Sequence, residues 1–144
     1  MKNLKKLAAR LKSITEEEQA QELAKIIDKY QEEVFNLNRK QLMEGVDSDG
    51  LSLGEYANED YARMKKTLNP RGVIDLRLNG DFHGEFFLVS EVPLIIWSYD
   101  GKTDFLVQRF GKKIFGLTED NKKVFITGYV RPEFGEYQKK LLRL

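Results

Sequence analysis

The residues best equipped for chemistry in this chain are few, and they sit in three short runs. The first is Asp81-Phe82-His83-Gly84-Glu85, where the single histidine of the sequence stands between two acids. Acid–base catalysis needs groups that converge on a substrate with tuned proton affinities, and adjacency in sequence supplies neither. On a strand residues 81, 83 and 85 share one face; on a helix they diverge. His83 is therefore expected to be a surface or capping residue. The second run, Asp47-Ser48-Asp49-Gly50, has the look of a calcium loop. With Gly50 at the glycine position of such a loop, its first and last ligands fall on Gly45 and Tyr56, so two key carboxylates are missing. A tight turn held by aspartate side-chain hydrogen bonds is the expectation there. The third run is basic: Arg109, Lys112, Lys113, Lys122 and Lys123, interleaved with Phe110 and Phe115. Brought together, these residues form a stripe for phosphates with two stacking rings; kept apart, they are a solvated face over buried phenylalanines.

Composition removes most other chemistry. The chain has no cysteine, which excludes disulfides, thiolate nucleophiles and cysteine-based metal sites, and one histidine excludes a multi-histidine site. Gly111-Lys112-Lys113 lacks the upstream glycine and the hydroxyl residue of a phosphate loop, and Gly80 to Gly84 carries no dinucleotide fingerprint. No serine has a histidine and an acid at recognisable spacing. With no catalytic residues, no metal and no cofactor expected, an enzyme is not the reading. Lys plus Arg (24) nearly cancel Asp plus Glu (23), so no global field marks a polyanion binder.

The elements that carry these runs can be read from periodicity. At 144 residues the chain suits one domain. Leu4, Leu7, Ala8 and Leu11 share a helical face ringed by Lys2, Lys5, Lys6, Arg10 and Lys12. The charges rule out a secretory signal, so the protein is expected to be made in and to stay in a cytoplasm. Apolar runs end at about four residues, as in Leu94 to Trp97, far below the roughly 20 that span a bilayer. Ser13-x-x-Glu16 and Thr15-x-x-Glu18 both fit a capping box, and Ala20, Leu23, Ile27, Tyr30, Val34 and Leu37 then form a heptad-like stripe. The spacing predicts one helix over about 16–43, on the order of 40 Å long, ending at Gly45. Its stripe serves either an intersubunit contact or the protein's own sheet. Leu4, Leu7, Leu11, Leu23, Ile27, Tyr30 and Val34 are the candidate intersubunit residues.

A second helix over 56–67 stops at Asn69-Pro70, and Phe86–Ser90 and Leu94–Ser98 read as antiparallel strands. Phe105, Leu106, Phe110 and Ile114 are at helical spacing, Thr118 caps a further helix, Pro132 kinks or restarts it, and a basic helical tail follows. Twelve of the sixteen aromatic residues follow residue 80, which centres the core in the C-terminal half. The expected class is α+β: a small antiparallel sheet, a long N-terminal helix and C-terminal helices, with 1–45 a helical arm or strut and 46–144 the core.

One ordered set of residues goes further. Gly50, then Tyr56-x4-Tyr61-Ala62-x2-Lys65, Asn69-Pro70 and Asp75-Leu76-x2-Asn79-Gly80-Asp81-Phe82 resemble the middle of the virion-morphogenesis and tail-completion proteins of tailed bacteriophages. In that family a lysine-bearing helix leads to a Leu-x-Thr-Gly-x-Leu/Phe turn and then to strands; Asn79 stands here in place of the threonine. Ile96-x-Ser98-x-Asp100-x-Lys102 and Ile114-Phe115-Gly116-Leu117 resemble the version found in phages of Bacteroidetes, including the crAss-like group. The similarity covers roughly residues 39 to 142. It implies a structural virion protein of the neck or tail, assembled in the host cytoplasm as a ring of its own copies between portal and tail. Such a ring could pass DNA without binding it specifically; the family has no catalytic residue to carry over, and the short apolar runs predict no membrane partner. A rival from another class is a small nucleic-acid-binding or regulatory module acting through its basic terminal helices.

Overall fold

The computed structural model describes residues 2–13, 16–77, 81–91 and 93–142, without the side chains of Lys2, Leu11 and Ser13. The fold is α+β, as expected, and mostly helical. The chain runs α1 (Lys2–Ser13), α2 (Glu16–Lys29), α3 (Gln31–Met43), α4 (Glu59–Leu68), a single turn α5 (Asp81–Gly84), β1 (Phe86–Ser90) and β2 (Ile95–Ser98). It continues through α6 (Thr103–Phe110), a 3-10 turn (Lys112–Ile114), α7 (Glu119–Phe125), a π turn (Ile126–Val130) and α8 (Arg131–Leu142). The Ser13 side chain, Thr15 and the Asn79-Gly80 turn lie outside the described residues.

The single helix expected over 16–43 is two. Tyr30 leaves helical geometry (φ −109°, ψ 24°) and separates α2 from α3. Neither glycine nor proline breaks the run. Tyr30 is instead held from across the fold: its hydroxyl donates to Glu133 Oε1 at 2.5 Å, and its ring lies 5.0 Å from that of Tyr129. The end of α3 follows expectation. Gly45 N–H bonds to Leu42 O and Val46 N–H to Gln41 O, the paired bonds of a Schellman stop. Gly45 has φ +77°, and a Cβ there would come within 2.6 Å of Val73 Cβ, so backbone conformation and close approach both call for glycine.

β1 and β2 pair antiparallel with Phe87 opposite Trp97 and a bulge near Ser90. A lone hairpin is marginal in water, and this one is covered by aromatic packing. Phe86 lies 5.4 Å from Phe82, 5.6 Å from Phe115 and 6.2 Å edge-on from Phe35, joining α5, β1, α3 and the loop after the 3-10 turn. Val34, Phe35 and Leu42 of α3 are core residues beside Ile96, Ile114, Leu117 and Phe125. Within the segment 1–45, α3 supplies one wall of the core. The heptad stripe faces inward with it. Val34 is wholly buried and is removed from the candidate contact surface, while Ile27 and Tyr30 pack partly buried against the core.

From α7 the chain stays helical to Leu142. Pro132 has no N–H to donate and its ring crowds the preceding turn; the widened turn at 126–130 precedes it, with Arg131 N–H reaching back to Ile126 O. The same turn sets Tyr129 against Tyr30 and lets its hydroxyl donate to Glu33 at 3.2 Å. At the far end α1 packs on α8, with Arg10 donating to Leu142 O at 2.8 Å.

Candidate functional site

The most heavily built polar region lies under α4. Asn58 caps this helix by accepting from Tyr61 N–H, which sets the phase that turns Lys65 inward. Lys65 is 1% exposed and Asp75 likewise, and their charged groups meet at 2.7 Å. Asp75 is fully engaged: Oδ1 also accepts from Arg77 N–H at 2.9 Å, and Oδ2 accepts from Asn69 at 3.1 Å. Lys65 also donates to Arg77 O, and Asn69 to Met43 O, so the cluster ties α4 to the end of α3. Between Asp75 and Arg77, Leu76 sits at φ 57°, a conformation that L side chains rarely take. The Asp75 carboxylate and the Lys65 ammonium hold the two residues flanking it, which is how the fold keeps this strained position.

His83 joins the same cluster, and its placement corrects the sequence expectation. It is buried rather than a surface or capping residue, with Nε2 at 2.7 Å from Asp75 O. Burial pushes its proton affinity below the ordinary histidine value, against the pull of Asp75, and the nearby Arg77 and Arg39 add to the lowering. The imidazole is therefore neutral and donates through Nε2 to the carbonyl. Asp81 and Glu85 are exposed, and α5 is helical, so the three residues do not form an acid–base set.

Above the cluster opens a cavity of about 450 Å³ between α4, the 74–77 segment and α6. Lys65, Ile74, Leu76 and Phe82 line its inner part; Tyr56 and Tyr61 stand on the α4 side, Phe105 and Phe110 on the α6 side. Arg77, Lys102 and Arg109 line it with exposed cationic side chains, against one lining carboxylate outside the buried pair, Asp100. Burial, reinforced by the negative charge of Asp75, pushes the Tyr56 phenol up to about 12, so it remains a neutral donor at any working pH.

The chain matches no family model, no curated protein and no solved structure. The site must be read from its own residues.

The structure separates much of what the sequence placed together. Of the basic run, Lys113 pairs with Asp49 at 2.6 Å and Lys122 with Glu119 at 3.1 Å. Phe115 is in the core rather than on a stacking face, whereas Phe110 and Arg109 line the cleft. The Asp47 turn is as expected: Oδ1 accepts from Asp49 and Leu51 N–H at 2.9 and 3.0 Å. Among the described residues no group of three or more metal-ligating side chains converges. Of the candidate contact residues, Leu4 is exposed, Leu7 and Leu23 are half-buried, and the Leu11 side chain lies outside the described residues.

Two features were missed by sequence reasoning. Gly50-Leu51-Ser52-Leu53-Gly54 has the Gly-x-Ser-x-Gly spacing of a nucleophile elbow. It does not form one: Ser52 bridges to Val46, its hydroxyl accepts from Gly54 N–H, and no strand-to-helix turn surrounds it. The other is a neutral clamp on α3. Asn38 donates to Ile114 O and accepts from Gly116 N–H, at 2.9 and 3.1 Å. Gln41 donates to Gly116 O at 2.9 Å and accepts from Thr118 N–H and Asn121 at 2.9 and 2.7 Å. The signal available was two amides one helical turn apart on a face otherwise apolar.

Proposed function

We propose that this chain is a structural subunit of a tailed-phage virion, a neck, tail-completion or tail-ring protein that assembles into a ring between portal and tail. The observation that carries the reading is what the resemblance residues do in the fold. Lys65, Asn69 and Asp75, separated in sequence by a proline turn, form one buried network. Ser98 donates to Phe82 O at 3.0 Å, Lys102 N–H bonds to Asp100, and Gly116 is held by the α3 amides. These residues act as joints of a single scaffold rather than as a reaction centre, which supports a structural role.

A ring needs a heterologous interface, in which one patch of a subunit meets a different patch of the next. Leu4 on α1 is 69% exposed and Leu7 is half-buried, which leaves α1 a contact element; Val34 is not available. Among the described residues no helix is long and apolar enough to cross a membrane. Light scattering and negative-stain microscopy of the purified chain, alone and with phage connector proteins, test the reading. Rings or connector complexes are expected, and Leu4→Asp with Leu7→Asp should disperse them. A monomer that ignores every connector component would overturn it.

A second reading is favoured by one contact. Because α1 packs on α8, Lys5, Lys6 and Lys12 lie on the same helical pair as Lys139 and Lys140. A nucleic-acid-binding module would use this pair, and mobility-shift titration should then show binding that weakens steeply with salt. Absence of any shift at low salt removes it.

A further inference from the structure

The cavity between α4 and α6 has features that an assembly scaffold does not require. Its volume of about 450 Å³ is that of a small-molecule site, which runs from about 300 to 1,000 Å³. Among the described residues no ion pair engages Arg77, Lys102 or Arg109, although lysines and arginines elsewhere are paired with carboxylates. Lys65, deeper in, is neutralised by Asp75. Asp100, which accepts from Lys102 N–H at 2.9 Å, is the one carboxylate among the described lining residues and is outnumbered by Arg77, Lys102 and Arg109. The cleft therefore keeps positive charge at its rim in a chain whose net charge is only +1.

The apolar part is aromatic and exposed. Phe105 is 61% and Tyr61 39% accessible, and Tyr61 is braced edge-on by Tyr56 at 5.1 Å. Arg109 is pre-positioned, with its guanidinium 5.3 Å from the centre of the Phe110 ring. Asn58 spends its side-chain oxygen on capping α4, which leaves its amide N–H groups free to donate at the rim.

We propose that this cleft binds a nucleoside phosphate, the base covering Phe105 and Tyr61 and the phosphate meeting Arg109, Lys102 and Arg77. Planar rings and guanidinium forks are the two recognition elements such a ligand needs, and the cleft supplies both within one cavity. An acidic peptide would satisfy the cations but has no ring for the exposed aromatic faces. Stacking accepts any base, so the shared chemistry is the phosphorylated nucleoside, from a free mononucleotide or from the end of a strand. This goes beyond ring assembly and stands or falls separately from it.

Calorimetric titration of the full chain tests the proposal, with AMP, adenosine, inorganic phosphate, and a ten-nucleotide oligothymidylate with and without a 5′-phosphate. AMP should bind saturably, and adenosine and phosphate each about tenfold more weakly. Arg109→Ala and Lys102→Ala should each weaken AMP about tenfold, and Phe105→Ala by a similar factor, with unchanged circular dichroism. Lys25→Ala, on the exposed face of α2 and away from the cleft, should leave AMP binding unchanged. Tighter binding of AMP than of the oligonucleotide assigns the free nucleotide as source; tighter binding of the 5′-phosphorylated strand assigns the strand end. Three results overturn the proposal: no saturation by AMP or the phosphorylated strand up to about 1 mM, AMP binding unchanged in both cation variants, or binding of a polyglutamate peptide alone.

Discussion

Two buried polar clusters hold this fold together, and they are built from opposite materials. Under α4, Lys65 and Asp75 bring a full positive and a full negative charge into the interior, each about 1% exposed. On α3, Asn38 and Gln41 do a comparable job with neutral amides, stitching a helix to the backbone of residues 114–118. Both clusters satisfy irregular backbone that no helix or sheet ladder reaches. The charged one does so at a higher desolvation cost, and its members are consequently interdependent. The neutral one distributes its load over several bonds of ordinary strength. The strained Leu76 and the cleft adjoin the charged cluster.

Breaking the charged cluster should have the largest effect. Lys65→Met removes the ammonium and leaves the Asp75 carboxylate buried beside only Asn69 and a backbone N–H. Loss of one partner of a buried pair costs about 3–5 kcal/mol, a large share of the roughly 5–15 kcal/mol that holds a domain together. Urea denaturation should show it as a collapse of the midpoint. Adding Asp75→Leu should recover at least half of the loss, because the orphaned charge goes with it, although the clamp on Leu76 does not return. If the double variant is no better than the single, Asp75 is not the group left stranded and the contrast between the two clusters is wrong.

Gln41→Leu probes the neutral cluster and should cost less, about 1–3 kcal/mol. It removes three hydrogen bonds, yet Thr118 and Asn121 are at best half-buried and can turn to water. A cost equal to that of Lys65→Met, in the same urea series, would erase the distinction drawn between charge and amide.

The contrast also explains what the sequence disclosed. Features fixed by local geometry were legible: the Asx turn at Asp47, the Schellman stop at Gly45, the Thr118 cap, and the two antiparallel strands. Helical periodicity over 16–43 was also legible, but the break at Tyr30 was not, since its anchors Tyr129 and Glu133 are about a hundred residues away. The same applies to both clusters. A lysine in an amphipathic helix is read as solvent-facing until a carboxylate from beyond the next turn is found beneath it. Asn38 and Gln41 find their partners at separations of 75 to 80 residues. Many cleft residues stood out in sequence, Tyr56, Tyr61, Lys65, Lys102, Phe105 and Arg109 among them, but in separate runs, and nothing local showed that they meet around one cavity.

The smallest predicted effect is a pH dependence confined to the charged side. His83 is the only histidine, and its folded-state affinity for a proton is lowered, chiefly by burial. Below its ordinary pKa of about 6.5 the unfolded chain therefore takes up a proton that the folded chain resists, and stability falls on acidification. The contribution is complete above about pH 6.5 and is lost progressively as pH drops below it, with a slope no steeper than about 1.4 kcal/mol per pH unit. His83→Gln keeps a donor for the Asp75 carbonyl but cannot titrate, so it should flatten the stability profile between about pH 7.5 and 5 measured by urea midpoints. Gln41→Leu should leave the slope as it is, because the neutral cluster contains nothing that titrates in that window. A slope that survives His83→Gln would move the titrating group elsewhere and detach His83 from the charged cluster.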